Sequence, residues 1–345
     1  EKVLTDYGML VWGNANNNYN QATMGYAQGS DFSGISYENR GFTNPAGVVG
    51  YMESHDEQRL MYKNEQYGNS SGTYNIKNIP TALKRMEMAG AFFFTIPGPK
   101  MIWMFGELGY DYSINRCEDG SLNSDCRTSP KPVRWDYYQD MNRKHLYGVW
   151  SALIHLKETQ PAFQTKNYSL DVSGATKLIH LTDTSMDVTV LGNFDVTQQS
   201  ITPNFQKTGW WYNYFGGDSI NVTNTDAAIT LTPGEYRLYT TKRLTRPDFI
   251  LGVPQNKQNS IGENLTVYPN PATSEIEVKW NMGKPSTGEI SLFDITGRKI
   301  RVLYRGNFKR GINHLHFKLD GINSGLYFMV MNTANTKQVK KLMIR

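Results

Sequence analysis

The sequence predicts a multidomain chain in which a mixed α/β part with parallel strands is followed by two all-β domains. Three observations carry this. Up to residue 161, short unbroken apolar runs alternate with segments of 3.6-residue hydrophobic period, the pattern of βα units. Past Pro161 the period falls to two. A polar stretch holding Pro247 and Pro254 then sets off a last β-rich segment. With 345 residues and 39% hydrophobic content, the chain has material for several buried cores.

Met9-Leu10-Val11-Trp12, Val48-Val49-Gly50-Tyr51-Met52 and Met101-Ile102-Trp103-Met104-Phe105 read as three strands. Being continuous rather than alternating, they are expected to be buried on both faces. Between the second and third, Leu83, Met86, Gly90, Phe93 and Phe94 fall at helical spacing over 80–95, and Pro80 suits the first turn, so a βαβ unit results. A further helical pattern runs over 138–158 through Leu146, Val149, Leu153 and Leu156, and Pro161 stops it. Residues 177–181, 188–191 and 235–239 are strand-like, with Gly, Asn and Asp in the turns between them. They define an all-β domain over 162–244, a linker over 245–262 and a second all-β domain over 263–345.

Charge is unevenly spread. Residues 263–345 hold 13 Lys and Arg against 6 Asp and Glu in a chain of net +5, so the basic character belongs to the tail and gives no support to a nucleic-acid groove in the main body. No run of eighteen apolar residues occurs, since Pro97, Gly98 and Pro99 interrupt the most hydrophobic region, and no transmembrane segment is predicted. The chain opens Glu-Lys-Val-Leu, without an initiator Met or a signal peptide, and reads as starting in mid-domain. Its two cysteines, Cys117 and Cys126, close a short Gly/Asn/Ser loop. That spacing suits a disulfide in an oxidising compartment, with two free thiols as the alternative; two sulfurs without nearby His are too few for a zinc site.

The segment Gly50-Tyr51-Met52-Glu53-Ser54-His55-Asp56-Glu57-Gln58-Arg59 sets a His-Asp pair directly after a strand. Polar residues at the C-terminal ends of barrel strands face the active site, so position and chemistry agree. The segment resembles the last conserved region of the alpha-amylase family (glycoside hydrolase family 13): an aromatic or aliphatic residue, three positions, His-Asp, and an Arg three beyond the Asp. Residues 97–109, ending Gly106-Glu107-Leu108-Gly109, resemble the family's last barrel strand with its Gly-x-Glu-x-Gly close. The resemblance implies that residues 1–161 are the last part of a (β/α)8 TIM barrel, roughly its last three βα units, and that 162–244 is the β-sandwich that follows the barrel.

It further implies that Asp56 is the third carboxylate of a retaining glycosidase site, stabilising an oxocarbenium-like transition state in the −1 subsite, with His55 hydrogen-bonding the same sugar. Arg59 either orients the loop or a neighbouring carboxylate, or contacts sugar. Glu107 and Tyr110 either line the cleft and bind substrate or anchor a loop at the barrel rim. In the family the nucleophile and the general acid/base sit on earlier strands, in a Gly-x-Arg-x-Asp motif and a later Glu. Neither motif occurs here, so both are expected upstream of residue 1, and this chain alone is expected to be inactive. The substrate implied is an alpha-1,4-glucan such as starch or glycogen; glucan branching or another transglycosylation, and non-catalytic glucan binding, are alternatives. Calcium is a candidate for the full-length enzyme through segments not present here, and no metal ligand is predicted within this chain.

The run Trp210-Trp211-Tyr212-Asn213-Tyr214-Phe215 is either a sugar-stacking platform or a strand packed into a core or the barrel interface. In the last domain, Val267-Tyr268-Pro269-Asn270-Pro271, Leu292-Phe293-Asp294-Ile295-Thr296-Gly297-Arg298, Ser324-Gly325-Leu326-Tyr327-Phe328 and Lys340-Lys341-Leu342 follow one another. In order and spacing they resemble the C-terminal sorting domain of the type IX secretion system of Bacteroidetes bacteria. From its residues alone this domain is a small Ig-like β-sandwich, with a turn at Thr296-Gly297 and a strand opening at Gly311; a generic carbohydrate-binding or spacer sandwich is the alternative. The resemblance implies a secreted or cell-surface protein, exported across the outer membrane after the secretion machinery recognises residues 263–345.

Overall fold

In chain order the first elements are α1 (Lys2–Asp6), β1 (Val11–Asn14), α2 (Asn16–Met24), β2 (Val48–Tyr51), α3 (Leu60–Tyr67), a small hairpin of β3 (Ser70–Ser71) and β4 (Tyr74–Asn75), α4 (Ile79–Thr95), β5 (Lys100–Met101) and α5 (Met141–Thr159). The structure is a computed structural model that describes residues 1–247, 265–294, 298–333 and 337–345. Strands β1, β2 and β5 form a parallel sheet with β2 in the middle; Gly13 faces Gly50, and Tyr51 faces Met101.

The two outer strands differ from expectation. The strand expected at 9–12 begins at Val11, and Met9, Leu10 and Trp12 are more than half exposed rather than buried on both faces. β1 is an edge strand, and among the described residues nothing pairs with its outer side. The strand expected at 101–105 stops at Met101. The Met104 carbonyl accepts an Arg59 Nη2 hydrogen bond instead of a strand amide, and Phe105 takes a left-handed φ of 60°, which turns the chain out of the sheet.

Helix α4 starts where Pro80 pre-sets the first turn, and its second half is buried all round. Burial of each of Phe92, Phe93 and Phe94 contributes about 2 kcal/mol. It packs against α5 so closely that a Cβ on Gly90 would lie 2.3 Å from Trp150 Nε1, which donates to the Met86 carbonyl at 3.1 Å. Helix α5 begins at Met141 rather than 138 because Asp140 Oδ1 caps the Asn142 and Arg143 amides at 2.9 and 3.0 Å. It ends at Thr159, ahead of Pro161.

Next come β6 (Tyr168–Asp171), β7 (Thr176–Leu181), β8 (Val188–Asn193), β9 (Gln199–Ile201), β10 (Gly209–Asn213), β11 (Ser219–Val222), β12 (Ile229–Leu231) and β13 (Tyr236–Thr240). Six of them form a sheet in the order β11-β10-β13-β8-β7-β6, and β9 pairs with β12. All six residues of β8 are buried, because the sheet is covered on both faces. Val190 and Leu238 face the core of α4 and α5, whereas Leu191, Trp211 and Leu231 form a separate core on the other side.

The seam between helices and sheet is aromatic: Phe194 meets Phe92 at 5.2 Å and Phe32 at 6.1 Å between ring centroids. Two buried basic side chains flank it. Arg85 donates through Nε to Thr23 O at 2.9 Å, through Nη2 to Ala22 O and Phe194 O, both at 2.6 Å, and through Nη1 to Asp195 O at 3.3 Å. Lys177 Nζ reaches Val172 O at 2.6 Å and both oxygens of Ser30 at 3.0 Å.

The chain divides into two compact units, Glu1–Pro254 and Gln255–Arg345. In the second, β14 (Thr266–Tyr268), β15 (Glu275–Met282) and β18 (Gly311–Lys318) make one antiparallel sheet. β16 (Ser286–Asp294), β17 (Lys299–Phe308), β19 (Gly325–Thr333) and β20 (Lys337–Ile344) make another, in the order β17-β16-β19-β20. Ile276, Val278, Trp280 and Met282 alternate inward from β15 to meet Ile290, Leu292, Met329 and Met331 in a shared core. The strand expected to open at Gly311 does so; the Thr296-Gly297 turn and Pro254 of the linker lie outside the described residues.

Burial pushes the Lys177 amine down to about 7 from its ordinary 10.5, and moves Lys157, to about 8, and Lys100 in the same direction. Between those limits the unfolded chain holds more protons than the folded one, so stability rises with pH from about 7 to about 10.5. Urea unfolding of the Lys177→Met variant should show a shallower rise over that window than the unsubstituted protein.

Candidate active site

Strand β2 ends at Tyr51, and the next residues separate into two tiers. Met52, Glu53 and Ser54 are buried, whereas the side chains of His55 and Asp56 are 67% and 56% exposed. Backbone hydrogen bonding explains why this loop keeps its shape. Asn16 Nδ2, at the start of α2, donates to Met52 O at 2.8 Å and to Gln58 O at 2.9 Å. The Gln58 amide in turn grips Ser113 Oγ at 2.8 Å and the Ile114 N–H at 2.7 Å. Arg127 Nη2 donates to Asp56 O, and the Asp56 N–H donates to Ser54 Oγ at 3.1 Å.

Beneath the loop, Glu53 joins three elements. Its Oε1 accepts the Leu60 N–H at 2.7 Å, at the head of α3, where orphan amides favour an anion. Its Oε2 lies 3.8 Å from Arg59 Nη2 and 2.7 Å from where a Cβ on Gly106 would stand, so a larger residue there would have to displace the carboxylate. Arg59 itself donates to Met104 O and lies over the Tyr110 ring at 4.8 Å.

The sequence-derived site residues therefore part company. His55 Nε2 lies 3.3 Å from Asp56 Oδ2, and the Trp103 ring stands beside the imidazole at 5.7 Å. Arg59 and Tyr110 are each only 2% exposed. Both lie beneath the loop: Tyr110 donates its hydroxyl to Pro132 O at 2.8 Å, and burial pushes its phenol up to about 12. Glu107 is half-buried in a crevice of about 410 Å³ with Trp103, Phe105 and Trp150, and desolvation raises its carboxyl above the usual range.

Cys117 and Cys126 are joined in a disulfide, with Cα atoms 5.1 Å apart. Its loop carries Arg127, the residue after Cys126, to the Asp56 carbonyl.

Several neighbours escaped the sequence reading. Asn14 Nδ2 donates to Glu57 Oε1 at 2.7 Å, Tyr51 OH reaches the same oxygen at 3.5 Å, and Trp12 meets Tyr51 edge-on at 5.9 Å. Asn14 and Tyr51 are register partners at the C-terminal ends of β1 and β2, so the rule that polar strand ends face a barrel site would have found them. Arg127 and Trp103 lie in irregular segments and carry no such signal. In the sandwich, Trp211 is wholly buried in the core and donates to Lys207 O at 3.0 Å, whereas its neighbour Trp210 is 56% exposed.

Residues 266–345 match the family described as "Secretion system C-terminal sorting domain". A search of the curated proteins finds no match. Among solved structures, the chain is similar to a variant of AmyP in complex with maltotriose, at 15% identity over 71% of this chain and 54% of that one, with a TM-score of 0.51. It is also similar to an alpha-amylase from Anoxybacillus (11% identity, 67% and 46% coverage, TM-score 0.47) and one from Geobacillus thermoleovorans complexed with acarbose (12%, 66% and 46%, 0.48). The chain thus spans about half the length of these structures. No described helix is long and apolar enough to cross a membrane. Residues 266–345 thus match a secretion system C-terminal sorting domain, which indicates type IX export to the cell surface or beyond, and over 71% of its length the chain shares the fold of AmyP.

Proposed function

We propose that the chain is the C-terminal part of a secreted retaining glycosidase acting on alpha-1,4-glucans, with Asp56 as its transition-state-stabilising carboxylate. The observation that carries this reading is the exposed Asp56 at the C-terminal edge of a parallel sheet, beside His55 and Trp103 and propped by the buried Glu53 and Arg59. In an oxocarbenium-like transition state, positive charge builds on the sugar ring. A carboxylate on a backbone already held by Arg127 and Ser54 can meet that charge, and it acts more strongly there than in the ground state. His55 stands close enough to serve the same sugar, and Trp103, Tyr51 and Trp12 offer ring faces.

The nucleophile and the acid/base belong, in this reading, to βα units that pair with the open sides of β1 and β5 in a complete (β/α)8 barrel. Exposed apolar residues at both outer edges of the sheet, Met9, Leu10 and Trp12 about β1 and Ile102 and Met104 after β5, support that assignment. AmyP's complex with maltotriose supports a glucan substrate.

In the intact protein, Asp56→Asn should lower turnover of soluble starch by about 10³-fold with an unchanged far-UV circular dichroism spectrum; near-normal turnover would remove Asp56 from the mechanism. Deleting residues 263–345 should leave the protein in the periplasm on cell fractionation, and undiminished export would remove the sorting role from this tail.

A further inference from the structure

We propose that Glu277, His314 and His316 form a binding site for a first-row transition-metal dication, best suited to zinc, on the outer face of the sorting domain. The three residues converge through strand geometry. His314 and His316 are two apart on β18, so both side chains leave the same face of the sheet. β15 runs antiparallel beside it with Glu277 opposite His316 and Lys279 opposite His314, which brings the carboxylate to that face between the two imidazoles. Glu277 Oε1 lies 3.5 Å from His314 Nδ1 and 3.8 Å from His316 Nε2, and the three ligand atoms lie within 4.8 Å of one another.

A tetrahedral zinc site with bonds of roughly 2.1 Å needs ligand atoms about 3.4 Å apart, so modest side-chain turns suffice. The imidazoles, 63% and 67% exposed, have room to make them. Lys279 Nζ holds Glu277 Oε2 at 3.3 Å, which leaves Oε1, the oxygen facing both rings, for the ion. Two imidazoles and one carboxylate suit zinc or nickel, whereas calcium and magnesium take oxygen ligands. A water would complete the shell. The bound ion would tie β15 to β18, whose pairing is long-range in sequence, and would stabilise the folded domain by mass action.

Isothermal titration of zinc chloride into the full chain tests this, with calcium chloride as the control. One zinc per chain is expected, weakened by about tenfold or more in His314→Ala, His316→Ala and Glu277→Gln, since losing a direct ligand costs at least what outer-shell partners cost. Far-UV circular dichroism checks that the variants are folded, and His316→Asn replaces any alanine variant that disturbs the strand. Absence of zinc binding to the unsubstituted chain, zinc binding of equal strength in all variants, or equal binding of calcium would each overturn the proposal.

Discussion

A single buried guanidinium ties the helical part of the N-terminal unit to its β-sandwich. Arg85 lies wholly inside the protein and donates hydrogen bonds to four backbone carbonyls. Two of those, Thr23 O and Ala22 O, which also accepts the Gly25 N–H at 3.1 Å, belong to the last turn of α2, where the helix dipole is negative. The others, Phe194 O and Asp195 O, follow the end of β8. One side chain on α4 thereby satisfies the end of a helix in the parallel part and the end of a strand in the sandwich. A lysine could not do this with the same economy, because its point charge lacks the planar fork of donors. Desolvation lowers the proton affinity of Arg85, yet an arginine stays charged where Lys177, which also faces the Phe194 ring, is driven toward neutrality.

With that seam fixed, α4 becomes a shared wall. One side meets α5 through Gly90 and Trp150, and another meets the six-stranded sheet through Phe92 and Phe194. Met52, the first residue after β2, is buried in the same core as Phe92 and Phe93 of α4, so the loop after Tyr51 starts from packed ground. Burial and exposure then divide within seven residues of sequence: Glu53 and Arg59 are buried, whereas His55 and Asp56 are presented to solvent. The disulfide loop adds an outer brace through Arg127. The sorting domain has its own two-sheet core and its own charge character, basic where the rest of the chain is not.

Much of this was legible in residue order. The helix over 79–95 was readable because its apolar spacing is long and regular, with proline at its start. The strands after Pro161 were readable because Gly, Asn and Asp punctuate short alternating runs. The His-Asp pair stood out because it directly follows an apolar strand. The ends of the first parallel sheet were not readable: apolar runs at 9–12 and 101–105 look like interior strands, but neither gains a neighbour on its outer side among the described residues. Glu107, Tyr110 and Arg59 illustrate the same limit at the site, since a residue type at a strand end says nothing about whether the chain turns it outward or under the loop.

What the sequence determined by itself is the order of domains, the period of each element, the sorting motifs of the tail and the presence of a His-Asp pair after a strand. These are local properties, set by spacing and composition. Tertiary structure alone decided that Arg85 closes the seam, that Arg59 and Tyr110 are buried beneath the loop after β2, and that Glu277 meets two histidines far along the chain. Each of these depends on which backbone groups are left unpaired and which strands become neighbours, and long-range pairing is a property of the packed whole.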